Sequence, residues 1–105
     1  MYELILCTCP DAACAEKLAH ALISEKLAAC VNILPGVSSV YEWQGQIETA
    51  QEHLLLIKSH QDRYAAIEAT LKRLHPYQLP EIIAVAIERG SLDYLKWINT
   101  CLAID

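Results

Sequence analysis

No stretch rich in proline, glycine or serine and no run of like charge divides the 105-residue chain, so a single domain spanning residues 1–105 is expected. Basic residues are scarce. Eight Lys and Arg stand against 13 Asp and Glu, a formal charge of −5, and the broad positive field that draws phosphate backbones or acidic lipid is missing. Nucleic acid and membrane surfaces are therefore not expected partners. Long apolar runs are lacking too, Ile82 to Ile87 being among the longest, and no basic segment with a following hydrophobic stretch and cleavage site opens the sequence. A soluble protein of the cytoplasm is expected. There is no Cys-x-x-Cys pair and no cysteine and histidine cluster of zinc-finger spacing, which argues against a structural zinc site and for folding that requires no cofactor. The five cysteines, Cys7, Cys9, Cys14, Cys30 and Cys101, form an odd set that reads as reduced thiols.

What the chain has in plenty is apolar side chain. A hydrophobic fraction of 54% is high for so short a chain, because small domains have much surface and little interior. Some of that surface is expected to meet another subunit.

Residues Tyr2 to Cys9 hold the unbroken apolar run Leu4-Ile5-Leu6-Cys7 of a strand buried on both faces. Pro10 and Asp11 open a helix whose apolar positions Cys14, Leu18, Ala21 and Leu22 form one stripe, ending near Lys26 to Leu27. Cys30 to Trp43 reads as a long strand, with Val37, Ser39, Tyr41 and Trp43 on one face. Pro35-Gly36 interrupts it, so a bulge or bend belongs there. Gln44-Gly45 supplies a tight turn, and Gln46 to Ser59 runs back as the second arm of a hairpin. Ser59 and Asp62 resemble a capping arrangement before a second helix marked by Tyr64, Ile67, Leu71 and Leu74. The stretch from His75 to Glu81, stiffened by Pro76 and Pro80, is a rigid loop. Ile82 to Ile87 is a fourth buried strand, and Ser91 caps a final helix carrying Tyr94, Leu95, Ile98, Cys101 and Leu102. This order predicts an α+β, ferredoxin-like βαββαβ fold with a long central hairpin and an extra C-terminal helix.

Each hairpin arm has roughly 14 residues, a reach of about 45 Å at about 3.3 Å per residue. A globule of this length has a diameter of about 33 Å. The arm outgrows its own body, and its tip carries Val40, Tyr41, Trp43 and Ile47, an apolar patch that partner subunits are expected to cover. The alternative is a sharp fold at Pro35-Gly36 that keeps the hairpin within one subunit.

From Leu27-Ala28-Ala29-Cys30-Val31-Asn32-Ile33 through Pro35-Gly36 to Tyr41-Glu42-Trp43-Gln44-Gly45, the sequence closely resembles the CutA family. Leu6-Cys7-Thr8, Leu56-Ile57-Lys58, the loop His75-Pro76-Tyr77-Gln78-Leu79-Pro80-Glu81-Ile82 and the ending Tyr94-Leu95-Lys96-Trp97-Ile98 resemble it in the same order. The resemblance implies a ferredoxin-like homotrimer joined through the hairpin 30–59, and a role in divalent-metal tolerance with copper(II) or another divalent cation bound. It also implies metal ligands at the positions of Cys7, Leu74 and His75, of which Leu74 has no donor atom.

Copper favours thiolate and imidazole. Cys9 lies about 7 Å from Cys7 along one strand face, so the metal set expected is Cys7, Cys9 and His75, with core packing the alternative for the cysteines and a solvated surface ring for the histidine. Lys58, Tyr77 and Glu81 resemble family positions lining a cleft between subunits near Trp43, where a charged pair beside aromatic rings would hold a small anion or polar ligand. An interfacial Lys58–Glu81 ion pair is the alternative. Two functions follow: a metal-binding trimer, or a scaffold or signalling module similar to the PII-like regulators, holding a small ligand at clefts between subunits. An enzyme is not expected, since Cys7-Thr8-Cys9-Pro10 stands where an acylphosphatase would need an arginine- and glycine-bearing phosphate loop.

Overall fold

The computed structural model describes residues 1–104. Strand β1 (Tyr2–Cys9) leads to helix α1 (Ala12–Ser24), then to β2 (Cys30–Trp43) and β3 (Gln46–His60). After a single 3-10 turn at Gln61–Arg63 come α2 (Tyr64–Leu74), β4 (Ile82–Ala86) and α3 (Leu92–Leu102). The strands form one antiparallel sheet in the order β2-β3-β1-β4, the ferredoxin-like arrangement with an added terminal helix.

Local chemistry sets the boundaries. Asp11 caps α1, its Oδ1 accepting the Cys14 N–H at 2.8 Å. That helix stops two residues short of its expected end because Lys26 turns left-handed at φ 57° and the Leu27 N–H returns to the Leu22 carbonyl at 2.9 Å. The Ser59–Asp62 cap does not form. Ser59 is buried in β3, donating to the Leu27 carbonyl at 2.6 Å, while the His60 ring accepts the Asp62 N–H instead.

The hairpin turns at Gln44-Gly45, both with positive φ (51° and 81°), a backbone whose twist suits two-residue connections. Nearer its base, Leu34 pairs with Leu54 and Val37 with Glu52, which leaves two residues, Pro35 and Gly36, against the single His53. Gly36, at φ 72°, belongs to this bulge. The extra residue switches the strand's parity, so that Ser39, Tyr41 and Trp43 continue the face begun by Asn32 and Leu34. The hairpin stretches the molecule to 47 × 25 × 22 Å.

One face of the sheet is closed by α1 and α2 over a core of Ile5, Cys7, Leu55 and Ile57 with Leu18, Leu22, Ile67 and Leu71. Helix α3 builds a smaller cluster in which Ile98 and Leu102 pack on Ala29, with Tyr2 and Leu95 alongside. The other face is largely open. β1 was expected to be buried on both sides, yet Leu4 and Leu6 are only half-buried, and in β4 Ile83 and Val85 are 51% and 50% exposed. Leu34, Val40, Tyr41 and Ile47 extend this exposed apolar surface along the arm.

Candidate functional site

Alternation along β1 puts Cys7 and Cys9 on the helix-covered face with Ile5, where both are fully buried. Burial, and then the neighbouring Cys9, push the Cys7 thiol up to about 12. Cys9 is likewise pushed up to about 12 by burial and by the adjacent Cys14 thiol. Since the thiolate is the metal ligand, a cation binds either sulfur only by displacing a proton that burial holds in place. Cys14, at the start of α1, is half-buried beside Cys9 and gives that thiol its route to the surface.

His75 is not a solvated loop residue. It follows α2, is buried, and its Nε2–H donates to the Thr8 carbonyl at 2.7 Å, which leaves Nδ1 to accept the Tyr77 N–H at 3.1 Å. Thr8 lies one residue past the last β1–β4 pair, and the imidazole takes the place of a strand partner there. Both ring nitrogens are committed. Among the described residues no three His, Cys, Asp or Glu side chains are grouped to hold a metal, so Cys7, Cys9 and His75 do not make a ready shell within one chain.

The same histidine orients a different site. Its ring lies against that of Tyr77, with centroids 4.7 Å apart, and the Tyr77 hydroxyl donates to Glu52 Oε2 at 2.8 Å. Burial, followed by the Glu52 contact, raises the Tyr77 hydroxyl well above its ordinary range and holds it as a phenol. Thr8, Tyr41, Trp43, Glu52, Tyr77 and Glu81 surround a cavity of about 780 Å³ between the outer hairpin and the Pro76–Glu81 loop. Glu42 joins Glu52 and Glu81 in the lining, and among the described residues of one chain no basic side chain does.

Trp43, Tyr77 and Glu81 line this one cavity, and within a single chain Lys58 does not reach it. Six residues from Glu52 along β3, or about 20 Å, Lys58 points its Nζ to within 4.0 Å of Cys30 Sγ. Glu52 went unnoticed in the sequence. Its signal was a carboxylate at even spacing from Leu54 and Leu56, hence on their face of the sheet.

Residues 3–101 match the family described as CutA1 divalent ion tolerance protein. A divalent-cation tolerance protein CutA of Pectobacterium atrosepticum is 46% identical over 99 residues, covering 94% of this chain and 90% of its own. Among solved structures, CutA of Xylella fastidiosa superposes with a TM-score of 0.94 at 50% identity, covering 96% of this chain and 97% of its own. A protein described as the periplasmic divalent cation tolerance protein CutA of Archaeoglobus fulgidus superposes at 0.95 with 38% identity, covering 97% and 99%.

Proposed function

Because the chain belongs to the CutA1 divalent ion tolerance family, we propose that it serves cation tolerance without catalytic turnover, as a cytoplasmic homotrimer that takes up copper(II) or another divalent cation. The observation that carries this reading is the match of residues 3–101 to that family. Assembly is supported by the open sheet face, where strands with the composition of a buried core stand half in water. Five free cysteines suit a reducing compartment.

The proposed contact for a thiophilic cation is the Cys9–Cys14 pair, reached through the half-buried Cys14. Both thiols must lose protons on binding, so affinity rises with pH. The test is a calorimetric copper titration of reduced protein beside a Cys14→Ser variant. Weaker binding in the variant is expected, and equal affinity rejects the pair as the contact.

The cavity favours a second reading, a trimeric regulator of PII-like build that responds to a small ligand. Its volume suits a metabolite rather than a bare ion, and it mixes aromatic walls with a few placed polar groups. Ligand-dependent stabilisation in the presence of a chelator separates this reading from the first.

A further inference from the structure

We propose that Cys9 and Cys14 form a dithiol–disulfide site that a low-molecular-weight disulfide oxidises, and that closing this bond withdraws the contact for a thiophilic cation. The second half rests on the Cys9–Cys14 cation contact proposed for this chain, and the first half does not.

Position singles out this pair among the five free cysteines. Cys9 ends β1 and Cys14 lies in the first turn of α1, with Pro10-Asp11 turning the chain back between them. Asp11 holds both sides of that turn. Its Oδ1 accepts the Cys14 N–H at 2.8 Å, and its carbonyl lies 3.9 Å from Cys9 Sγ. The two thiols adjoin, each acting directly on the other's proton. Cys9 belongs to the cluster that α1 and α2 close over the sheet, and Cys14 packs against it. The groups that bring the sulfurs together therefore come from one chain, on the side of the sheet opposite the open face.

Cys7 is the other candidate partner for Cys9, and strand geometry rules it out. Two residues along one strand face set the Cα atoms about 7 Å apart, beyond the usual disulfide span of about 4.4–6.8 Å. The pair across the turn is under no such fixed separation.

Exposure assigns the roles. Cys14 is half-buried and Cys9 fully buried, so a reagent from solvent reaches Cys14 first. Cys14 gives its proton to water, and its Sγ attacks one sulfur of the reagent. The reagent's S–S bond breaks, and the departing thiolate takes up a proton. Cys9, deprotonated in turn, attacks Cys14 Sγ, breaks the mixed disulfide and releases the second half of the reagent as a thiol. Two protein thiols are oxidised, and one small disulfide is reduced to two thiols. With the sulfurs joined, neither remains as a thiolate for a cation.

The experiment treats the reduced full chain with 2-hydroxyethyl disulfide, stops exchange with acid and maps the tryptic peptide Met1–Lys17, which ends at the first basic residue and carries Cys7, Cys9 and Cys14. In the parent this peptide should lose two hydrogens, with fragmentation joining Cys9 to Cys14. Cys9→Ala, which keeps a small apolar side chain in the core, should stop at the mixed disulfide on Cys14. Cys14→Ser should slow modification of the peptide by about tenfold or more. A bond between Cys7 and Cys9, a mixed disulfide that persists in the parent, or an unmodified peptide overturns the proposal. Zinc, which binds thiolate and has no redox chemistry of its own, is then titrated calorimetrically into both forms. The oxidised form should bind it about tenfold or more weakly than the reduced form. Equal affinity overturns the link to the cation. Where reduced Cys14→Ser also binds zinc like the parent, the cation contact itself is misplaced, and the disulfide stands on the peptide map.

Discussion

The two faces of this sheet are made by the same strands from similar residues, and they meet opposite surroundings. On one, Ile5, Leu55 and Ile57 disappear under α1 and α2. On the other, Leu4, Leu6, Leu54 and Leu56 stay half-buried, and Ile83 and Val85 are exposed. Hydrophobicity says that a side chain is to be removed from water. It does not say by whom. The covered face is closed by α1 and α2, whereas the open face has the composition of a core and among the described residues is covered only toward its Tyr2 end, by α3.

The contrast is broken most strongly from the covered side. Leu55→Ala should cost about 2–5 kcal/mol in chemical denaturation, while Leu54→Ala, its neighbour on the other face, should cost less and show its effect as a dependence on protein concentration. Equal, concentration-independent losses would mean that the two faces are energetically alike. The next largest effect is on assembly. Ile83→Lys places a charge on the open face and should lower the mass seen by light scattering to that of one chain, with the circular dichroism spectrum kept. An unchanged oligomer would show that the open face is not where copies meet.

A smaller effect sharpens the covered side. Cys7 and Cys9 begin from an ordinary thiol value of 9.0 and are raised to about 12 in the fold, so between these values the unfolded chain has released protons that the folded chain retains. Stability contributed by the neutral thiols is full below about pH 9 and is lost as pH climbs toward 12. Melting temperatures should fall across that window, and Cys7→Ala should flatten the slope while lowering the starting point. A slope identical to that of the parent protein would place the alkaline sensitivity elsewhere.

Much of this was legible in the sequence, for reasons that can be named. Strand and helix periods, the Gln44-Gly45 turn and the Pro35-Gly36 interruption gave the element order, the hairpin and its bulge, because each depends on neighbours within a few residues. The site was less legible. His75 looked exposed on a proline-bound loop, yet it is buried because a carbonyl 67 positions earlier, that of Thr8, needed a donor at the end of a ladder. Within one chain, the distance of Lys58 from the cavity follows from strand length once the register is set by pairing Cys30 with Lys58 and Val37 with Glu52, whereas the expected cleft lies between subunits. Family likeness had grouped Lys58 with Tyr77 and Glu81. Pairing within one chain parts them.

By itself, the sequence determined the ferredoxin-like order of elements, an arm too long for its body and an apolar content too large for one small core, since periodicity, chain length and composition are local or summed quantities. The tertiary structure alone decided which thiols are sealed into the core, which carboxylate lies buried beside Tyr77, and which face of the sheet is left open. Those outcomes depend on strand register and on a one-residue bulge that swaps the faces of β2, and a shift of one position exchanges what is inside for what is outside.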